Sequence, residues 1–150
     1  IAARRISAAA ETPAGAEVRQ ALGVGPEAPV RHRRVQLTCG ARVLSEADNW
    51  YLPARLTPEM NRLLEATDTP FGVVARPLAF RRRTLSAVPL FHPLGEGWEL
   101  RPPPADAPVM IIPAEVLRHR AVLVTPDGRP FSLVVETYTA AVLDLPPRDR

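Results

Sequence analysis

The apolar positions of this chain fall into short runs punctuated by proline and glycine, and the clearest pattern is a hairpin over residues 118–138. Ala121, Val122, Leu123 and Val124 form a β-favouring run, Pro126, Asp127 and Gly128 make a turn, and residues 131–138 run back. Pro126 pre-sets φ for the first turn position, and Gly128 accepts the left-handed conformation that closes the loop. The returning strand is apolar except for a few polar positions, of which only Glu136 carries charge. A carboxylate there either points to solvent or is held inside for a purpose.

A second hairpin reads from Val30. Residues 30–38 form one strand, Gly40 supplies the turn, and residues 42–52 return until Pro53 stops them. The two hairpins echo each other. Each begins at an Arg-His-Arg cluster, turns at glycine and returns through a strand carrying a glutamate, Glu46 or Glu136. This pattern predicts a duplicated unit with strands paired antiparallel in one sheet and helices on one face.

Between the hairpins lies the strongest helix signal. Thr57 is an N-cap, Pro58 fills the first helical position and Glu59 favours the positive end of the dipole. Met60, Leu63 and Leu64 then recur at helical spacing to about Ala66. Thr69 to Gly72 breaks the helix and opens a turn or short helical piece. Residues 80–91 read as a further strand with Arg81, Arg83, Leu85 and Ala87 on one face and Arg82, Thr84, Ser86 and Val88 on the other. Residues 92–108 are loop-like with an extended triple proline, 109–112 are a short apolar run, and 113–117 form a helical turn. Near the N-terminus, residues 16–22 make a short helix ended by Gly23. The expected layout is an N-terminal segment at 1–29, partly helical or flexible, an α+β domain at 30–145 and a frayed tail at 146–150.

Composition narrows the function. A chain of 150 residues is one domain with a single core, and 46% hydrophobic with 23% charged residues fits a soluble globular protein. All 19 basic residues are arginine, which favours forked contacts to carboxylates. A net charge of +3 invites a nucleic-acid partner, but 16 acidic residues are interspersed and no stacking aromatics flank the arginine clusters. A basic cleft for a small anion fits the same charge. One cysteine, Cys39, excludes an internal disulfide and a cysteine-rich metal site. No apolar run approaches the roughly 18 residues a bilayer demands, so no membrane partner is expected. The expected location is cytoplasmic, with export to the periplasm the alternative because any targeting signal would lie upstream. A start at Ile1 rather than methionine suggests a fragment or a processed product. No interface pattern indicates an oligomeric state.

No phosphate loop, GxGxxG, HExxH or GxSxG is present. His32, His92 and His119 are scattered, so neither metal nor cofactor is expected. The Arg81 to Arg83 run reads most simply as a solvated edge that deters aggregation. What remains is a charge constellation, Arg33 or Arg34 in one strand and Glu136 in another, able to face one apolar-floored cavity. The competing reading is an exposed cross-strand ion pair that contributes little.

Arg33 to Leu37 with Gly40 and Trp50 to Pro53, then Thr69 to Gly72, then Leu117 to Arg120 through Gly128 to Glu136, together resemble chorismate pyruvate-lyase-like proteins in order and spacing. The resemblance covers residues 30–143. It implies a chorismate lyase-like α+β fold, a single antiparallel sheet of about six strands with helices packed on it. It also implies a carbon–oxygen lyase that eliminates pyruvate from chorismate to leave 4-hydroxybenzoate without metal or cofactor. Arg33 matches the arginine that holds the ring carboxylate, Glu136 the glutamate at the ring-hydroxyl end, and Phe71-Gly72 the segment against the ring. Arg33 and Glu136 would then be catalytic and all four substrate-binding, with Glu136 a proton donor if its pocket is dry. The same sheet serves without catalysis in UTRA-type effector-binding domains of bacterial regulators, to whose hairpins this chain is also similar. Either way the implied partner is a small anionic aromatic or cyclic carboxylate.

Overall fold

A computed structural model describes residues 1–6, 12–102 and 110–144. Its centre is two hairpins. β2 (Arg31–Cys39) and β3 (Arg42–Tyr51) turn at Gly40, and β5 (Glu115–Val124) and β6 (Pro130–Thr139) turn at Gly128. Both glycines sit at positive φ, +59° and +84°, where a Cβ would be strained. The second turn is closed by the Gly128 N–H donating to the Thr125 carbonyl at 2.8 Å.

β1 (Ala2–Arg5) and β4 (Arg81–Pro89) complete a six-stranded antiparallel sheet of order β1-β2-β3-β6-β5-β4. The order is symmetric about the β3–β6 seam: two three-stranded meanders meet edge to edge, the topological form of an internal duplication. At the seam Ala47 lies opposite Glu136 and Asn49 opposite Val134. This is a chorismate lyase-like α+β fold.

α2 (Pro58–Ala66) begins as its sequence dictates, with the Met60 N–H donating to the Thr57 hydroxyl at 3.2 Å and Pro58 in the first turn. It buries Met60 and Leu64 against Tyr51 and Leu56, and α3 (Phe71–Val74) adds Phe71 and Val74 to the same cluster. α1 (Ala16–Leu22) ends at Gly23, whose φ is +64°. Leu22 packs on Leu52, Val122 and Leu133.

Four expectations change. Helices do not share one face: α1 contacts Val122 whereas the α2–α3 cluster contains Leu123, and successive strand residues point to opposite sides. Glu115 and Leu117 are not a helical turn but the start of β5, paired with Thr139 and Tyr138, because a ladder on β6 outweighs a local signal. Residues 2–5 are not merely N-terminal padding but an edge strand, with Ala2 opposite Thr38 and Arg5 opposite Val35. In β4 a register shift between Thr84 and Ser86 inserts an extra residue, so Ala87, opposite His119, joins the face of Arg82 and Thr84. The expected tail at 146–150, most of the extended triple proline and Val109 lie outside the described residues.

Candidate functional site

Glu136 comes from the middle of β6 on the face covered by α2 and α3, and it is only 7% exposed. One carboxylate oxygen accepts from the Ser45 hydroxyl at 2.8 Å; the other faces Arg82 Nη2 at 3.5 Å. Tyr138, two residues along the same face, also bonds Glu136; burial first, then the charge of Glu136, pushes its hydroxyl above the ordinary tyrosine value. Arg82 reaches in from edge strand β4. Its Nη2 also donates to His119 Nδ1 at 2.8 Å. A guanidinium has no acceptor, so Nδ1 accepts, which leaves Nε2 to meet the Thr84 hydroxyl at 3.2 Å. Ser45, Glu136, Arg82, His119 and Thr84 thus form one continuous polar chain across the sheet.

Above this chain lies a cavity of ≈150 Å³. Its floor is Val35, Leu37, Ala47 and Val134, its roof is Pro70, Phe71, Gly72 and Phe80, and Asn49, Arg82 and Glu136 supply its polar groups. Phe71 is anchored by Tyr51 and Phe131, at ring separations of 5.5 Å and 6.3 Å. A larger, open hollow of ≈750 Å³ follows the loop between Pro93 and Pro102, but it contains no buried polar group.

Phe71, Gly72 and Glu136 therefore meet around one cavity. Arg33 stands differently. It is 2% exposed and on the same sheet face, yet it does not line the cavity. Its Nη1 donates to the Thr69 carbonyl at 2.8 Å and its Nη2 to the Thr67 carbonyl at 2.9 Å, tying the α2–α3 linker to β2. Its Nε has no partner, and it forms no ion pair among the described residues. Burial, followed by repulsion from Arg5, lowers its pKa, opposed by Asp68 and Tyr51. Arg34 lies on the opposite face, where it pairs with Glu46 at 2.6 Å rather than with Glu136.

Asn49, Arg82, His119 and Ser45 were not singled out by the sequence. Asn49 and Ser45 were detectable in principle, because residues 45, 47, 49 and 51 alternate inward along β3. Arg82 was hidden in a run of three arginines that reads as a solvated edge; all three are exposed, yet Arg82 also reaches Glu136 at 3.5 Å.

The fold is the α+β architecture shared by UTRA domains and chorismate lyase-like proteins. No family model matches the chain. It is 50% identical over 141 residues to the uncharacterized protein y4mC of Sinorhizobium fredii (strain NBRC 101917 / NGR234), covering 91% of this chain and 58% of that protein. The chain thus spans somewhat over half the length of that relative. Among solved structures, a GntR-family transcriptional regulator from Enterococcus faecalis V583 superposes with a TM-score of 0.56 at 14% identity, covering 98% of this chain and 99% of that one. The PhnF C-terminal domain gives 0.56 at 16% identity over 93% and 82%. The ligand-binding domain of a candidate GntR-family regulator from Bordetella bronchiseptica gives 0.52 at 18% over 92% and 81%. At these identities the likeness concerns the fold. Among the described residues no helix is long and apolar enough to cross a membrane.

Proposed function

We propose that this chain is a non-catalytic small-ligand-binding domain whose ligand is a small cyclic or aromatic monocarboxylate. The observation that carries this reading is the partly open, mainly apolar cavity with Glu136 and Arg82 in its wall and Arg33 buried nearby on β2. Arg33 and Arg82 supply two positive charges and Glu136 one negative. Arg5 and Asp68 act on Arg33 with opposite sign. The surplus of one positive charge suits a monoanion. Drug-sized pockets run to roughly 300–1,000 Å³, so this cavity suits a smaller, ring-sized body. The fold shared with a Bordetella ligand-binding domain points the same way.

Elimination of pyruvate from chorismate is the competing reading, and two features weigh against it. The guanidinium assigned to the ring carboxylate has both Nη groups engaged by backbone carbonyls. Both carboxylate oxygens of Glu136 are already engaged, by Ser45 and by Arg82, with Tyr138 bonded to the same group. The test is calorimetry with 4-hydroxybenzoate beside an assay of pyruvate release from chorismate. Binding without turnover is the expected result. Pyruvate release that disappears in Glu136→Gln would overturn the proposal in favour of the lyase.

A further inference from the structure

Asn49 is 4% exposed and lines the cavity, and its side chain makes no hydrogen bond to another described residue. Its amide is therefore free to bond a group that enters the cavity, in a wall that is otherwise mainly apolar. Its cross-strand neighbour on β2 is Arg33, whose buried Nε is equally without a partner and whose charge meets no carboxylate within ion-pair distance among the described residues. The other buried orphan, the Ser132 hydroxyl, does not line the cavity and belongs to close-packed surroundings. One end of the cavity therefore lacks an acceptor and a negative charge. The opposite end is already supplied: Glu136 has Ser45, Tyr138 and Arg82.

We propose that Asn49 is the residue that reads the ligand's carboxylate, donating from its amide while the charge of Arg33 behind it selects the anion over a neutral isostere. This rests on the small-carboxylate reading above. In this arrangement Arg33 is a positioning residue that acts through its field, and the Glu136 end takes whatever hydroxyl or ring edge the ligand presents. An amide alone does not discriminate a carboxylate from a carboxamide, since Oδ1 accepts as readily as Nδ2 donates. The discrimination comes from the charge.

The experiment measures 4-hydroxybenzoate and its neutral isostere 4-hydroxybenzamide by calorimetry against the native chain, Asn49→Asp and Asn49→Leu. The native chain is expected to prefer the acid by roughly tenfold or more, the scale of one charge-assisted hydrogen bond. Asn49→Asp, whose carboxylate repels the acid and accepts from the carboxamide, is expected to abolish or reverse that preference. Asn49→Leu is expected to weaken the acid by roughly tenfold and raise the thermal midpoint by about 2–4 °C, because an apolar side chain suits the apolar wall. Binding with the same acid-to-amide ratio in Asn49→Asp as in the native chain would overturn the role of Asn49 and leave the pocket reading standing. A lower midpoint for Asn49→Leu would make Asn49 structural, with the same consequence. Failure of the native chain to bind either probe would overturn the pocket reading and this inference together.

Discussion

Arg82 and Glu136 meet at 3.5 Å although a whole strand, β5, separates the strands that carry them. The contact turns an edge residue into a cavity residue. It also fixes the orientation of the Arg82 guanidinium, which shares Nη2 between Glu136 and His119.

Arg82→Ala removes this cation while leaving Ser45 and Tyr138 on Glu136. The surplus positive charge of the cavity disappears, so affinity for 4-hydroxybenzoate should fall by roughly tenfold in calorimetry. Stability should change by no more than about 1 kcal/mol in urea unfolding, because the arginine is 38% exposed and such pairs contribute little. A loss of folding in this variant would mean that the network is structural first.

Glu136→Gln keeps the shape but removes the negative charge. Binding of a monoanion should be retained or tightened, at a stability cost of about 1–2 kcal/mol because an amide nitrogen replaces one of the oxygens that meet Ser45, Tyr138 and Arg82. Equilibrium binding to 4-hydroxybenzoate checks this. A tenfold weakening would make Glu136 the acceptor of the ligand's own hydroxyl.

Arg33→Met strips the Thr67 and Thr69 carbonyls of their donors and also relieves a desolvated guanidinium. These effects oppose each other, and the net expectation is a loss of about 1–3 kcal/mol in urea unfolding. The linker they hold leads into Pro70 and Phe71, the roof of the cavity, so ligand affinity should fall alongside stability. Unchanged stability would indicate that the linker is held by α2 alone.

Tyr138 supplies a pH signature. Its folded pKa is raised above the ordinary value of 10.0, chiefly by burial, so between those two values the native state binds more protons than the unfolded one. Its contribution is therefore fully present below pH 10.0 and declines as pH rises through the folded value. Tyr138→Phe should flatten the fall in stability above that pH, as read by urea midpoints across the alkaline range. A slope identical to the native one would assign the alkaline loss to other groups.

Most of the secondary structure was legible because its signals are local. Gly40 and Gly128 occupy the positive-φ turns, Thr57 caps α2, and Gly23 ends α1, each from chemistry confined to a few neighbouring residues. The strand of Ala2 to Arg5 was not legible, since it has no alternation of its own and is held by the exposed edge of β2. Glu115 to Leu117 was misread for the same reason: Pro113 permits a helical turn, but β6 offers a ladder.

In the site, the sequence by itself determined the charge types and the apolar runs that make an inward Glu136 plausible, because side-chain chemistry and period-two alternation are properties of the chain. Tertiary structure decided which groups meet. Asn49 enters the cavity through its register with Val134 and Arg33, and a single register shift in β4 separates the face of Arg82 from the pattern that simple alternation assigns. Arg33, the residue the resemblance marks as a ligand anchor, donates to two carbonyls more than thirty residues away. Pairings over such separations depend on strand register and linker path, and a one-residue slip in either exchanges inside for outside.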